Sequence, residues 1–595
     1  MDVRNNVGLL RLYIYMKLID NIRISAVAVI TALSATGCSD YFDPEYTGYI
    51  PENKFYDNIN SLRMGLNSVY NVVQSQNYEF GELLFGLGVS DDAWAHQDVS
   101  SGTIPDILNF TFDTQNEQIL TRYRTQYLGI NKANQVIRNV GNVSFKNNGS
   151  TKKEIREVYG QAKVLRAMFY FNLVKTFGGV SIQPEWQELG SLIVPRSTEE
   201  EIYAYIERDL REAVLLLRKG RYQQGEAGQI GVGGGLGLLM KVLLYQASPG
   251  TDIPADVKAR KWKEAYEIGR YFIEGEDLSV NNLLKFDERY EGISWDEFAS
   301  QMFLEDNVTK ESILAGSDIV NLHRLDAFDN IFRLAGEFSI ESLIEINHFD
   351  FSGLSSDINE SWGLYNNFIH QNESGVALSP VATKDLYNTM NNDPRRMYTI
   401  TGRIYNEYFC QEGTLSLKSH DAAEGYLFMK TFLFASEGSE AGRNYRVMRY
   451  AEALLIYAEI LLENQQPRKA VDYVNMVRQR ARKLIDPSNP NAKYNPVKDA
   501  DFKDVSYAPY DITREAILKE KRIEMAGEGD RWFEVCRLGQ AYERQQFIAR
   551  NLPTEASGKI RQRGKHFKKG INEIYPIPYK EVYTSNGVIK QNFGY

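Results

Sequence analysis

The sequence predicts an all-α protein built from paired helices, and two observations carry that prediction. Residues 442–482 place apolar side chains at three- and four-residue spacing, lose the pattern at residues 464–466 and resume it after Pro467. Segments with the same periodicity recur through residues 59–273. A hairpin of about 35 residues matches the length of one tetratricopeptide-type helix pair. We therefore expect a scaffold of tetratricopeptide-like helical repeats.

Length and charge limit the class of protein. A chain of 595 residues is too long for one hydrophobic core, so we expect several lobes. The hydrophobic share of 43% and the charged share of 25% are typical of a folded globular protein. A formal net charge of -10 argues against nucleic-acid binding, because phosphate contacts need a basic surface.

The amino-terminal segment has the pattern of an export signal. Lys17 and Arg23 precede an apolar run over residues 24–35, which is too short for a comfortable bilayer crossing. We interpret residues 1–37 as a signal peptide, with Met16 as an alternative start.

Cys38 follows the small residues 34–37, an arrangement that resembles the lipobox of bacterial lipoproteins. Cleavage before Cys38 would make it the first residue and the site of lipidation, and several acyl chains anchor a protein durably to a membrane. The polar residues 38–58 would then form a lipidated tether. The alternative is a soluble secreted protein that is cut nearby, with Cys38 present by chance.

Local signals give the helix boundaries of the first half. Capping-box spacing at residues 151–154 and at residues 197–200 predicts two helix starts, and Gly178 predicts a stop. The glycine-rich residues 231–237 satisfy no nucleotide-binding pattern, so we expect a flexible turn before a helix at Leu238. The remaining predicted helices cover residues 61–73, 123–140, 238–247 and 261–273.

The second half is less regular. Residues 274–397 combine short apolar runs with many Asn and Ser residues, which predicts an irregular region where recognition usually resides. We expect one helix over residues 513–537, after a polar loop at residues 483–510. Pro576 and Pro578 exclude a helix around Ile577.

Seven segments spread along the chain resemble the SusD/RagB family, the surface nutrient-capturing lipoproteins of Bacteroidetes. They agree in order and spacing, and they include the Cys38 region and the terminal QNFGY. The other five are residues 159–180 (YGQAKVLRAMFYFNLVKTFGGV), 196–213 (RSTEEEIYAYIERDLREA), 391–400 (NNDPRRMYTI), 448–463 (MRYAEALLIYAEILLE) and 520–539 (EKRIEMAGEGDRWFEVCRLG).

The resemblance implies a SusD-like fold, with helix pairs on one side and an irregular ligand-facing region on the other. It also implies an outer-membrane location and a partner, a TonB-dependent transporter of the SusC type. The ligand would be an oligosaccharide or a peptide, bound without cofactor and without catalysis. The domains would be a helical part at residues 59–273, a ligand-facing region at residues 274–397 and a carboxyl-terminal part at residues 398–595.

Exposed aromatic rings beside polar side chains are the expected chemistry of sugar binding, because C–H faces stack on rings while hydroxyls need carboxylates and amides. The alternative for each aromatic is that it packs a loop onto the scaffold. The candidate ligand-binding residues are Asp91, Asp92, Trp94 and His96 in one loop, Tyr290 and Trp295 in a second segment, and Trp362 in a third.

A second class of function is a secreted glycoside hydrolase, with Glu524 and Glu528 as the paired carboxylates. Basic residues alternate with these acids, so we prefer a structural ion-pair network on a helix. The six His residues show no metal-binding spacing, and no metal site is expected. Cys410 and Cys536 could form a disulfide, although we expect two free buried thiols.

Overall fold

Helices dominate the described chain, and helices that follow one another in sequence pack together. The contacts divide the chain into Met1–Phe55, of which only Phe55 is described, and Tyr56–Tyr595. The computed structural model describes residues 55–95, 102–143, 149–185, 193–222, 226–284, 312–332, 336–348, 380–401, 426–428, 430, 444–482, 502–551 and 563–595.

The first helical series begins at Asn58, whose side chain accepts hydrogen bonds from the first turn of α1 (Ile59–Val73). Leu62, Leu66 and Val69 form the buried face of α1, which agrees with the predicted amphipathic helix. The series continues with α2 (Gln76–Glu82), a π-helical segment (Leu83–Gly88), β1 (Ala93–Ala95), α3 (Thr103–Asn109), α4 (Glu117–Asn139), α5 (Gly149–Phe177), α6 (Glu199–Leu216), α7 (Val232–Ala247), α8 (Ala255–Gly269) and a second π-helical segment (Arg270–Glu274).

Both helix starts that were predicted from capping-box spacing are displaced. The α5 helix begins at Gly149, before the predicted cap at Thr151, and it ends at the predicted Gly178, which adopts a φ of 69°. The α6 helix is capped by Thr198 and Glu201, one residue later than predicted. The reason is that the backbone N–H of Ser197 donates to the Val180 carbonyl, so Ser197 belongs to the preceding connection.

Residues 232–237 of the glycine-rich stretch belong to helix α7 and Gly231 is its N-cap residue, so the predicted flexible turn is wrong. A Cβ atom at Gly234 would lie 2.7 Å from the Leu343 carbonyl oxygen, and one at Gly237 would lie 2.9 Å from a Leu343 methyl carbon. The glycines therefore let α7 lie directly against β4 (Ser342–Ile346), and this packing outweighs their low helix propensity.

The central part of the chain contains short elements, as the composition predicted, and its strands form small antiparallel sheets. The elements are β2 (Leu278–Ser279), α9 (Val280–Leu283), β3 (Ile313–Leu314), α10 (Phe328–Ile331), β4, β5 (Pro380–Ala382), α11 (Lys384–Thr389), α12 (Arg396–Thr399), β6 (Ile400–Thr401), β7 (Tyr426–Phe428) and β8 (Tyr445–Arg449). One sheet has the order β1-β5-β7-β6, and the others pair β2 with β3 and β4 with β8.

The carboxyl-terminal part contains the predicted hairpin, whose second helix starts at Pro467 as expected. Its first helix is shorter than predicted, because Val447 lies in strand β8, which pairs with β4. The single helix predicted over residues 513–537 is also wrong, since Gly527 and Gly529 adopt φ angles of 83° and 97° and divide it. The helices are α13 (Tyr450–Glu463), α14 (Pro467–Arg482), α15 (Tyr510–Glu524), α16 (Arg531–Arg537), α17 (Ala541–Asn551), α18 (Arg563–His566) and α19 (Tyr579–Thr584).

Helix α7 joins the two halves by packing against α13. At this contact Lys241 Nζ lies 2.8 Å from Glu452 and 2.8 Å from Asp530, and the Lys241 side chain is buried. Among the described helices, none is long and apolar enough to cross a membrane.

Candidate functional site

The predicted cluster around Trp94 lies where the first π-helical segment gives way to the sheet. Asp91 and Asp92 form a turn, and Trp94 is the middle residue of β1, in register with Val381 of β5. Strand β1 is an edge of its sheet. The structure thus places these three residues together at a sheet edge.

The two carboxylates of this cluster are buried, with exposed fractions of 2% for Asp91 and 1% for Asp92. Asp91 accepts from Arg531 Nε at 2.8 Å and from Arg544 Nε at 2.5 Å, and Asp92 accepts from Arg522 Nε at 2.7 Å. The expectation that they stand in an open loop is therefore corrected. A direct ligand contact by these carboxylates stays a prediction only, and their burial argues against it.

Burial and these contacts together shift the pKa values of Asp91 and Asp92 in opposite directions. Burial alone would raise the pKa of Asp91, but the guanidinium groups of Arg531, Arg522 and Arg544 outweigh it and hold that pKa far below its usual range. Burial raises the pKa of Asp92, an effect that Arg522 offsets only in part. At neutral pH the Asp91 carboxylate is thus a fixed negative charge among arginines.

Most of the other predicted site residues lie outside the described residues. His96, Tyr290, Trp295 and Trp362 are among them, and so is the predicted lipidation site Cys38. Their assignments stay predictions.

Glu524 and Glu528 form ion pairs, as the preferred interpretation expected, but their partners lie on other elements and the network is buried, so pairing on the surface of one helix is corrected. Glu524 lies 2.8 Å from Arg395, 3.0 Å from Arg449 and 2.6 Å from Arg480. Glu528 lies 2.7 Å from Arg449. Every one of these side chains is at most slightly exposed to solvent.

The charges around Glu524 and Glu528 work against glycoside hydrolysis. Burial would raise their pKa values, but the nearby cations lower both. A glycosidase needs one carboxylic acid that holds its proton at working pH, which requires a raised pKa. Neither acid meets that requirement.

Cys536 is a free thiol whose Sγ donates to the Glu573 carbonyl at 3.7 Å, and burial raises its pKa. Cys410 lies outside the described residues. Within the described parts of the chain, no group of His, Cys, Asp and Glu side chains could hold a metal ion.

A polar cleft that the sequence did not predict lies between α1, α5 and the connection from α6 to α7. Its volume is about 570 Å³, within the range of small-molecule sites. The lining residues used below are Arg63, Leu66, Asn67, Tyr70 and Asn71 from α1, Glu154, Glu157, Val158 and Gln161 from α5, and Arg218, Glu226 and Gln229 from the connection.

Hydrogen bonds fix the floor of this cleft. The Tyr70 hydroxyl donates to Gln161 Oε1 at 2.7 Å and accepts from the Ile230 N–H at 3.1 Å. Gln161 Nε2 in turn donates to Gln229 Oε1 at 3.1 Å and to the Tyr222 hydroxyl at 3.2 Å. One sequence signal could have indicated the cleft, namely the amides at Asn67 and Asn71 on the polar face of α1 and at Gln74, its C-cap residue.

Two family models match this chain. The SusD family matches residues 353–595, and the family described as "Starch-binding associating with outer membrane" matches residues 45–226. The chain belongs to the SusD/RagB family. Six of the seven resembling segments lie within the matched residues, and the Cys38 region lies just before them.

Two curated relatives of this SusD/RagB protein are similar along nearly their whole length. SusD-like protein P2 of Formosa agariphila is 23% identical over 589 residues, which cover 95% of this chain and 98% of the relative. SusD-like protein P38 of the same organism is 21% identical over 537 residues, which cover 89% and 93%.

Solved SusD-type structures share the fold. A SusD homolog from Bacteroides thetaiotaomicron matches with a TM-score of 0.66 and 20% identity, over 91% of this chain and 98% of that one. A laminarin-binding SusD-like protein matches with a TM-score of 0.61 and 22% identity, over 91% and 100%. Surface glycan-binding protein A from B. thetaiotaomicron, in complex with laminarihexaose, gives 0.61 and 17%, over 90% and 99%. The tetratricopeptide-like helical fold expected for the family agrees with these matches.

Proposed function

We propose that this SusD/RagB protein is a cell-surface lipoprotein that captures oligosaccharide or peptide nutrients and delivers them to a SusC-like TonB-dependent transporter in the outer membrane. The observation that carries the proposal is the near full-length match to SusD-type structures, two of which are named for the glycans they bind. The outer-membrane location is supported by the description of the amino-terminal family model.

An oligosaccharide is the better supported of the two ligands, because laminarin and laminarihexaose are the ligands named for the structural neighbours. Trp94, His96, Tyr290, Trp295 and Trp362 are the candidate contacts, through ring stacking and hydrogen bonds. Asp91 and Asp92 stay in the proposal as residues that hold the Trp94 strand in place, because their carboxylates bind arginines.

Ligand capture without catalysis fits the charge state of Glu524 and Glu528 in the folded part of the chain, which is called the body below. The cations around Glu524 and Glu528 keep both acids ionised, so the body offers a rigid support rather than an acid and base pair. A lipid at Cys38 and the tether at residues 38–58 would keep that body beside the transporter at high effective concentration. The body could then open and close over the pore as a lid.

Lipid labelling tests the anchor. Cells that express the wild type, Cys38→Ala or the control Cys536→Ala are fed an alkyne-bearing fatty acid, and the purified chain is examined for label. We expect label on the wild type and the control and none on Cys38→Ala, because only Cys38 follows the predicted cleavage site. Label that survives in Cys38→Ala would contradict the anchor.

Co-purification and product analysis test the remaining parts. The chain, extracted from outer membranes in mild detergent, should carry a large β-barrel protein with it. Incubated with neutral oligosaccharides, it should bind at least one of them and release no new reducing ends. Release of shorter sugars that depends on this chain would favour the glycoside hydrolase instead.

A further inference from the structure

We propose that the polar cleft between α1, α5 and the α6–α7 connection is a second binding site, which takes a short, neutral oligosaccharide. It shares no lining residue with the predicted aromatic clusters. The inference goes beyond the proposed function, because it adds a site, and it rests on that function only for the nutrient class.

Two amides in the cleft are available to a ligand. Asn67 and Asn71 lie one turn apart on α1, both exposed, and neither side chain bonds to any residue that the structure describes. A primary amide offers two donors and one acceptor, and a sugar hydroxyl both donates and accepts. Paired amides at this spacing can therefore hold neighbouring hydroxyls of one sugar ring.

The floor of the cleft holds its polar groups in fixed positions. Gln161 is 1% exposed and bonds to Tyr70, Tyr222 and Gln229, so its rotamer is set before any ligand arrives. The Gln161 amide already has partners at both ends, so the floor gives the cleft a fixed shape and leaves ligand hydrogen bonds to Asn67 and Asn71. A preorganised cleft lowers the entropy cost of binding.

The charges of the cleft are already paired with one another. Arg63 lies 3.0 Å from Glu154, and Arg218 lies 3.1 Å from Glu157 and 3.0 Å from Glu226. Three carboxylates thus accompany two cations, and both cations are engaged. A sulfate, phosphate or uronate would meet a slightly negative surface, so the cleft favours a neutral ligand.

The walls offer few surfaces on which a sugar ring could stack. Leu66 and Val158 line the cleft, but each is only 4% exposed, so they present little apolar surface to C–H faces. The Arg218 guanidinium carbon lies 4.2 Å from the Tyr222 ring centroid and therefore covers one face of that ring. Binding in the cleft therefore depends on hydrogen bonds more than on aromatic stacking.

The test is calorimetry and hydrogen–deuterium exchange on the full chain in detergent, with laminarihexaose, maltohexaose, cellohexaose and mannohexaose as probes. The variant Asn67→Ala/Asn71→Ala removes both open amides. The matched control Asn60→Ala/Asn77→Ala removes two exposed asparagines outside the cleft. We expect one probe to protect residues 226–231 from exchange, and the cleft variant to weaken that binding by about tenfold or more while the control does not.

The cleft proposal fails if no probe protects residues 226–231, or if the cleft variant binds as the wild type does. Binding detected elsewhere on the chain in that case would leave the proposed function standing. Absence of nutrient binding anywhere, together with absence of a β-barrel partner, would instead count against the proposed function. A probe that bears sulfate groups and binds in the cleft more tightly than its neutral form would also overturn the proposal.

Discussion

Arg449 Nη1 lies 3.0 Å from Glu524 Oε1, and neither side chain exposes any surface to solvent. The pair joins the last residue of β8 to the last residue of α15. Arg395 and Arg480 also contact Glu524, so one carboxylate compensates several buried cations. A buried charge without a partner is costly, which makes Glu524 a critical residue for stability.

We therefore expect Glu524→Gln to lower the free energy of unfolding by about 3–5 kcal/mol, as for other buried pairs that lose one partner. The control is Glu543→Gln, because Glu543 forms an exposed pair with Lys569 at 3.3 Å. Such exposed pairs contribute little. Urea unfolding followed by circular dichroism measures both, and equal small effects would show that the network is not essential.

The sequence predicted local structure well where the cause is local. The apolar spacing around Leu454 and Leu455 and the first-turn Pro467 indicated the α13–α14 hairpin, because both signals act within a few residues. Val447 was misassigned to a helix, because its strand depends on pairing with β4, where Met448 lies opposite Ile344. Distant pairing of this kind leaves no local pattern.

In the candidate site, too, the sequence predicted what depends on neighbouring residues and missed what depends on distant ones. The composition of the Asp91–Asp92 turn suggested a polar surface loop, whereas Arg522, Arg531 and Arg544, far along the chain, convert it into a buried ion-pair cluster. The residue spacing within the turn does not predict those arginine partners. The glycines of α7 misled for a similar reason, since close approach to Leu343 is a tertiary effect.

Close packing at Gly86 gives a second prediction about stability. The absence of a side chain there lets the first π-helical segment pack directly against the turn between α15 and α16. A Cβ atom there would lie 1.6 Å from the Gly529 carbonyl oxygen. Since that neighbour is backbone, we expect Gly86→Ala to destabilise the protein by about 3 kcal/mol, at the upper end of typical overpacking effects. Thermal unfolding measures the change.

The control for Gly86 is Gly141→Ala, because nothing lies within 4 Å of a Cβ atom at Gly141. That substitution should leave the stability unchanged or raise it slightly, through the entropy of the unfolded chain. A melting temperature of Gly86→Ala equal to that of Gly141→Ala would mean that the segments are free to separate.

A substitution at Asp91 distinguishes a structural role of this residue from a direct ligand contact. Asp91→Asn removes the charge that compensates Arg531 and Arg544, so we expect a loss of stability of about 3–5 kcal/mol. Oligosaccharide affinity, measured by calorimetry on folded protein at low temperature, should stay within about twofold of the wild type, because a buried carboxylate does not reach a ligand. A large fall in affinity with stability retained would show instead that Asp91 contacts the ligand.

His348 gives a pH-dependent prediction. It forms a buried ion pair with Glu79, and both side chains are nearly inaccessible to solvent. Burial alone would lower the pKa of His348, but the Glu79 carboxylate outweighs it and raises that pKa above the usual value. The protonated imidazole is therefore favoured in the folded protein.

A raised folded-state pKa means that the stabilisation from His348 is complete below the unfolded value, about 6.5, and is lost as the pH rises through the folded value. We expect His348→Gln to remove this part of the decline in stability above about pH 6.5. The control is His323→Gln, because burial lowers the pKa of His323 to about 4 and keeps it neutral in this range. Urea unfolding from pH 6 to 9 checks the prediction. If His348→Gln and the wild type decline in parallel, the Glu79 pair does not govern the pH dependence.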